Sequence, residues 1–301
     1  MKFLRSLSLL AGALGALSGC RFGSDGAESR VKAAAAERSA LLAKRLAVAD
    51  SNPSGKKPVA LWVMPAELRE ISGLALTADG LLLAHGDEQA LIYIINPRTG
   101  IVVDRFHVGK KRRGDFEGIT VAGSDIFLLE SNGSLLQFKR GGNGDRVKFA
   151  VRDARLGKEC EFEGVAYQAD SAWLVMPCKR VSKKSMRDQM VFYRFRIQGP
   201  DNGKVSMFTV PLHEVIGSND WKEFNASDMA IDPGTGNYVI VSSQQKGLVV
   251  MTPTGEVLRS EPLPGKHLQA EGVAVTSDNI LIISDEARND PAVISLYRWR
   301  N

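Results

Sequence analysis

From Pro58 onward, apolar residues fall in short runs separated by turn signals, and helical periodicity nearly vanishes. The turns are marked by Gly80, Pro97-Arg98-Thr99-Gly100, Asn132-Gly133, Pro233-Gly234 and Pro253-Thr254-Gly255. Five of the runs open alike: ISGLAL at Ile71, FEGITV at Phe116, FEGVAY at Phe162, ASDMAI at Ala226 and AEGVAV at Ala270. Their second residues are Ser72, Glu117, Glu163, Ser227 and Glu271, at spacings of 45, 46, 64 and 44. Each is followed by a second apolar run (LLLAH, IFLLE, AWLVMP, YVIVSS, ILIISDE) and then a third. A repeat of about 45 residues holding several short strands predicts an all-β propeller. Five blades are expected, with six as the alternative because the 64-residue interval has room for a degenerate blade. The apolar stretch Ala60 to Met64 precedes the first repeat and is expected to supply the outer strand of the last blade, so that no sheet edge stays open.

The chain ahead of Pro58 has a different composition. Lys2 and Arg5 precede a short apolar stretch, Leu7 to Leu17, and small residues lead into Cys20. This stretch is too short to span a bilayer and reads as a cleaved leader over residues 1–19. Leu17-Ser18-Gly19-Cys20 resembles a bacterial lipobox, which implies a lipid on Cys20; a plain secretory leader is the alternative. Residues 20–57 then form a spacer. Ala27 to Ala49 is rich in good helix formers and would reach about 33 Å as a helix, and Asn52-Pro53-Ser54-Gly55 ends it. The propeller occupies residues 58–301. Arg21 follows Cys20 where an Asp could act as an inner-membrane retention signal, so the expected location is the cell envelope, on the outer membrane facing the periplasm.

Charge adds little. The formal net charge of +5 falls to +3 once Lys2 and Arg5 leave with the leader. That is too mild an excess to imply nucleic acid. Cys160 and Cys178 remain, and in an exported protein such a pair is read as a disulfide. Val165 to Tyr167 and Trp173 to Val175 look like a hairpin turning at Ala169-Asp170, which would set the two cysteines nearly opposite each other.

Side chains two apart on a strand share a face. If the first strand of each blade lines the channel, two stacked rings of oxygen donors result. One is Glu70, Asp115, Glu161, Asn225 and Gln269; the other is Ser72, Glu117, Glu163, Ser227 and Glu271. The fourth repeat departs from the pattern, with Asp228 where the others carry Gly. Facing glutamates repel unless neutralised, and a hard cation such as Ca²⁺ suits oxygen ligands. The candidate metal ligands are Glu117, Glu163, Glu271, Ser72, Asp228 and Asp115. The alternative is a hydrated channel relieved by protonation or by neighbouring bases.

The succession EISGLAL, DFEGITV with IFLLE, SDMAIDPGTGNYVIVSSQQKGLVVMTPTGEV, and QAEGVAV with ILIISDE resembles the SdiA-regulated, YjiK-like propeller family from Leu61 to the C-terminus. That family is similar to phytase-like and lactonase-like propellers, which implies a propeller with calcium in its channel rather than any particular reaction.

Bases gather near the expected mouth: Lys110, Lys111, Arg112 and Arg113 before Asp115, then Lys179, Arg180, Lys183 and Lys184 after Cys178. Together they suggest an anion-binding rim, or solvated loops. Trp221 and Lys222 lie in the long loop leading into blade four, and His85 and His267 are placed near the mouth without a catalytic duty. No nucleophile elbow, zinc helix motif or phosphate-binding loop is present. The expectation is a lipid-anchored, monomeric binding or scaffold module for a small anionic ligand or an envelope protein. Its rival is a calcium-dependent hydrolase of a phosphoester or lactone, with Asp87, Glu88 or Glu286 handling protons.

Overall fold

A computed structural model describes residues 24–51, 56–110 and 112–300; the leader, Cys20 and Lys111 lie outside them. Five antiparallel sheets form a ring. Their innermost strands are Ile71–Leu76, Phe116–Ala122, the split pair Cys160–Phe162 with Ala166–Gln168, Asp228–Ile231 and Ala270–Val275, and each touches the next around the circle. The ring closes as expected. Ala60–Val63 pairs antiparallel with Val293–Arg298, so the first strand of the chain completes the blade built by its end.

The apolar runs are nearly continuous because a radial sheet buries both faces. Five apolar clusters result, one in each cleft between neighbouring blades. Phe106 and Phe116 meet between blades one and two, Phe192 and Tyr238 between three and four, and Val241 and Val273 between four and five. The 64-residue interval holds no sixth blade. It accommodates the long hairpin Trp173–Val181 with Gln189–Arg196, the outer strand Val205–Pro211 and a short helix, Leu212–Ile216.

Cys160 and Cys178 are bonded, with Cα atoms 5.7 Å apart. The register differs from expectation. Cys160 lies opposite Val181 while Phe162 lies opposite Cys178, with an irregularity between Glu161 and Phe162. The hairpin turns later than its sequence symmetry suggests because Ala169–Ser171 forms a 3-10 turn and Ala172 takes a left-handed conformation. The bridge therefore runs diagonally across the pair.

The expected helix is present as α1, Ser24–Ser51, but it docks on the propeller. Leu42 is buried in the cleft between the last and first blades, with Leu46 and Ala49 beside it, one stripe at helical spacing. The arginines on and near this face satisfy carbonyls. Arg38 Nη1 donates to Thr99 O at 3.0 Å, Arg45 Nη1 to Val59 O at 3.2 Å and Arg300 Nη2 to Ala49 O at 2.7 Å. Arg298 pairs with Asp50 at 2.5 Å. No helix among the described residues is long and apolar enough to cross a membrane.

This docking makes a testable distinction along one helix. Leu42→Ala is expected to lower unfolding stability by about 2–3 kcal/mol, the cost of emptying a buried leucine site. Leu41→Ala, at a position 45% exposed, should stay within about 0.5 kcal/mol of wild type. Urea midpoints of the two variants check this, and equal midpoints would mean that α1 does not pack in solution.

Candidate functional site: a divided channel

The inner strands converge so closely that only backbone fits at mid-channel. A Cβ on Gly118 would lie 2.7 Å from Gly164 Cα, and one on Gly164 (φ +99°) would lie 2.8 Å from Asp228 Cα. Where the fourth repeat has Asp228 instead of Gly, the carboxyl fills the axis. Its Oδ2 accepts from Val273 N at 2.8 Å, while Oδ1 is buried without a hydrogen-bond partner. Burial lifts its pKa well above the carboxylate range, against the pull of the Val273, Met229 and Leu74 amides. Burial thus favours the protonated form of Asp228. It sits in the neck of the channel, away from the expected ligand ring.

On one side of the neck lies an acidic mouth of about 180 Å³. Six carboxyl groups line it, those of Glu70, Asp87, Glu117, Glu163, Glu271 and Glu286, together with Ser72 and Gln269. The second oxygen ring thus arrives mostly as expected. The first arrives only through Glu70 and Gln269. Asp115 is exposed and accepts from Ser131 Oγ at 2.5 Å, Glu161 faces Arg180 at 3.8 Å, and Asn225 is held by Gln245. Register shifts fall between Ile71 and Leu74, Phe116 and Gly118, and Ala270 and Gly272, so the strands are irregular where they enter the mouth, and Asp115, Glu161 and Asn225 each meet a partner of their own instead.

The mouth holds one base. Lys179 was expected on the rim, but its Nζ turns inward and pairs with Glu163. It comes one residue after Cys178, the partner of Phe162, as Asp87 and Glu286 come one residue after the partners of Ile71 and Ala270, which is the register signal for its inward position. Burial, followed by the neighbouring Glu163 and Asp115, raises Glu117 to about 9. Burial likewise raises Glu163 to about 7, although Lys179 opposes it. Glu271, Asp87 and Glu286 are also raised, chiefly by burial. Burial works against the Lys179 ammonium, but Glu163 outweighs it and holds the lysine pKa above its ordinary value.

Most described bases of the rim are counterions. Arg112 pairs with the buried Glu130 at 2.8 Å, Arg113 approaches Glu88 at 3.8 Å, and Lys183 meets Glu159 at 2.8 Å. Lys110 and Lys184 are exposed. Glu88 is exposed outside the mouth, unlike Asp87 and Glu286. The two histidines are interior. Burial depresses His85 to about 4, and its Nε2 abuts the position a Cβ on Gly73 would take. His267 is buried against Asp285, 2.6 Å from Nδ1 to Oδ2, and Tyr297.

On the far side of the neck the channel opens into a second cavity, of about 530 Å³, which nothing in the motif reading anticipates.

A ring of five radial four-to-five-stranded sheets around a divided channel defines a five-bladed β-propeller. Residues 213–299 match the model of the SdiA-regulated family, in agreement with the resemblance carried by the repeat motifs. No curated protein matches the chain. Among solved structures, the PQQ-bound aldose sugar dehydrogenase from Streptomyces coelicolor superposes with a TM-score of 0.50 at 12% identity, covering 79% of this chain and 97% of that one. Inactive virginiamycin B lyase from Staphylococcus aureus gives a TM-score of 0.42 at 14% identity, covering 78% and 71%. At these identities the likeness is one of fold.

The mouth predicts a pH dependence of stability. Glu117 takes up its proton near 9 when folded and near 4.5 when unfolded, so between these values the folded state binds more protons. Its contribution is therefore complete at the acidic end and is lost as pH rises through 9. In the presence of a chelator, the melting temperature of wild type should fall across this window, and Glu117→Gln should flatten the fall. Parallel profiles for the two proteins would show that Glu117 does not retain its proton.

Proposed function

We propose that the protein is an envelope binding module whose acidic mouth takes up a cation. The observation that carries this reading is the convergence of six carboxyl groups on one opening with, among the described residues lining it, only Lys179 to balance them. Calcium is the first candidate. The donors are all oxygens, as a hard cation requires, with Glu117, Glu163, Glu271 and Ser72 the residues that would hold it; Asp115 lies at the edge beside Glu117, and Asp228 is in the neck. The ion would supply positive charge to carboxyl groups whose proton affinity burial raises. The donor chemistry fits, but the arrangement as it stands is closed by Lys179. Among the described residues no three His, Cys, Asp or Glu side chains are gathered around one ion position. Lys179 is then the ion's competitor, a tethered ammonium that must leave Glu163 before another cation can enter.

With most rim bases engaged by acids, an anionic ligand finds fewer free partners than the sequence suggests, and a partner presenting a cationic group suits the mouth better. A lipid on Cys20 would hold the module to the outer membrane, with α1 linking anchor to ring. Hydrolysis is the second reading, favoured by one observation: Asp87 and Glu286 share the mouth with the strongly raised Glu117, placing carboxyl groups of different proton affinity together, as acid–base chemistry needs. Turnover of phosphoester or lactone substrates by wild type, lost in Asp87→Asn with Glu286→Gln, would establish it.

The binding reading is tested by calorimetric titration of calcium chloride into the chain from Ser24 onward. Lys179→Met should bind calcium about tenfold more tightly than wild type, because a like charge is removed from the site. Glu117→Gln with Glu163→Gln should bind none. If wild type and Lys179→Met both give no heat with calcium but do so with an alkyl diamine, the mouth takes organic cations and the calcium assignment falls. If neither cation binds, the acidic mouth is not a cation site.

A further inference from the structure

The repeat that delivers oxygens to one end of the channel also delivers an apolar side chain to the other. Four residues after the glutamate and serine ring come Leu76, Val121, Tyr167, Ile231 and Val275, one from each blade, and all line the second cavity. The first four are only half-buried: each packs on one side against a cleft between blades and remains open on the other to the funnel. Half-exposed apolar side chains converging in a concave space are the usual mark of a ligand site. The volume, about 530 Å³, lies within the range of small-molecule cavities.

Three further features define what could enter. The neck is sealed by the close glycine backbones and the Asp228 carboxyl, so the funnel ends blindly and is separate from the acidic mouth. Charged groups at its rim are paired with each other, Arg98 with Asp278 at 2.6 Å and Asp79 with Arg140 at 3.0 Å. They offer no unbalanced charge to an ionic ligand. Each innermost strand is also the edge of its sheet, so its outer row of backbone N–H and C=O groups faces the channel and offers hydrogen bonds to a neutral molecule. A side extension reaches Ile280, Ile282 and Leu296 between the last and first blades, under the Arg98–Asp278 pair.

We propose that this funnel is a second binding site, for an uncharged small molecule with an apolar body and few polar groups, held by the ring Leu76, Val121, Tyr167, Ile231 and Val275. It requires neither a cation in the acidic mouth nor a lipid on Cys20. Small-molecule capture thus occurs at the opposite end of the channel from the carboxyl groups.

The test uses the neutral fluorophore N-phenyl-1-naphthylamine, which brightens in apolar surroundings, titrated into the chain from Ser24 onward. One saturable site is expected. Val121→Asp and Ile231→Asp should each weaken it by about tenfold or more, since a charge is costly in an apolar cavity. Val121→Phe, which adds bulk without polarity, should reduce occupancy by filling the space, and it keeps the test valid if the charged variants do not fold. Glu117→Gln with Glu163→Gln, in the other compartment, should leave the titration unchanged. Non-saturable brightening, or a site indifferent to Val121→Phe and Ile231→Asp in folded protein, would overturn the proposal and leave the funnel a water-filled end of the channel. Loss of probe binding in the glutamate variant would overturn the separation of the two sites.

Discussion

The close approach of the innermost strands at the ring axis is the constraint on which the rest depends. Five radial sheets can bury both faces against their neighbours only if their inner edges come together, and at mid-channel that leaves room for glycine backbone. The clefts, the two compartments and the orientation of the acids follow from this convergence. Asp228 shows how narrow the tolerance is. One side chain enters the ring, and it does so at the position where its carboxyl can accept the Val273 amide and where burial favours its protonated form.

Once the axis is pinched, electrostatics decides the character of each end. The Glu-Gly steps place carboxyl groups in a small, largely desolvated mouth, where burial and mutual repulsion favour the protonated form. A base from blade three enters to offset part of that cost, and the disulfide at Cys178 fixes the strand from which it projects. The mouth is thus a set of largely desolvated acids, offset in part by Lys179. At the other end the same strands present apolar side chains to a space that neighbouring blades do not fill.

Closure of the ring matters beyond removing a sheet edge. Ala60–Val63 zips the first and last blades together, and α1 lies over the same seam, with Leu42 in the cleft and its arginines on the carbonyls of Thr99 and Val59. The segment that resembles a spacer is therefore part of the fold over its later half.

The repeat was legible in the sequence because local chemistry enforces it. Short apolar runs, turn residues and a unit near 45 residues leave few architectures besides a propeller, and the Ala60 to Met64 run could be assigned because an unpaired edge needs a partner. Glu117, Glu163, Glu271 and Ser72 could be named since alternation is a property of a single strand. What alternation could not supply was the partner each first-ring side chain would meet, Ser131 for Asp115, Arg180 for Glu161 and Gln245 for Asn225. Lys179 could not be placed because its direction depends on a carboxylate from a neighbouring segment and on a register three residues from the one the hairpin's symmetry suggests. The neck and the funnel belong wholly to tertiary structure. They exist only where five strands, distant in sequence, meet at one axis, and no single repeat contains the distance between them.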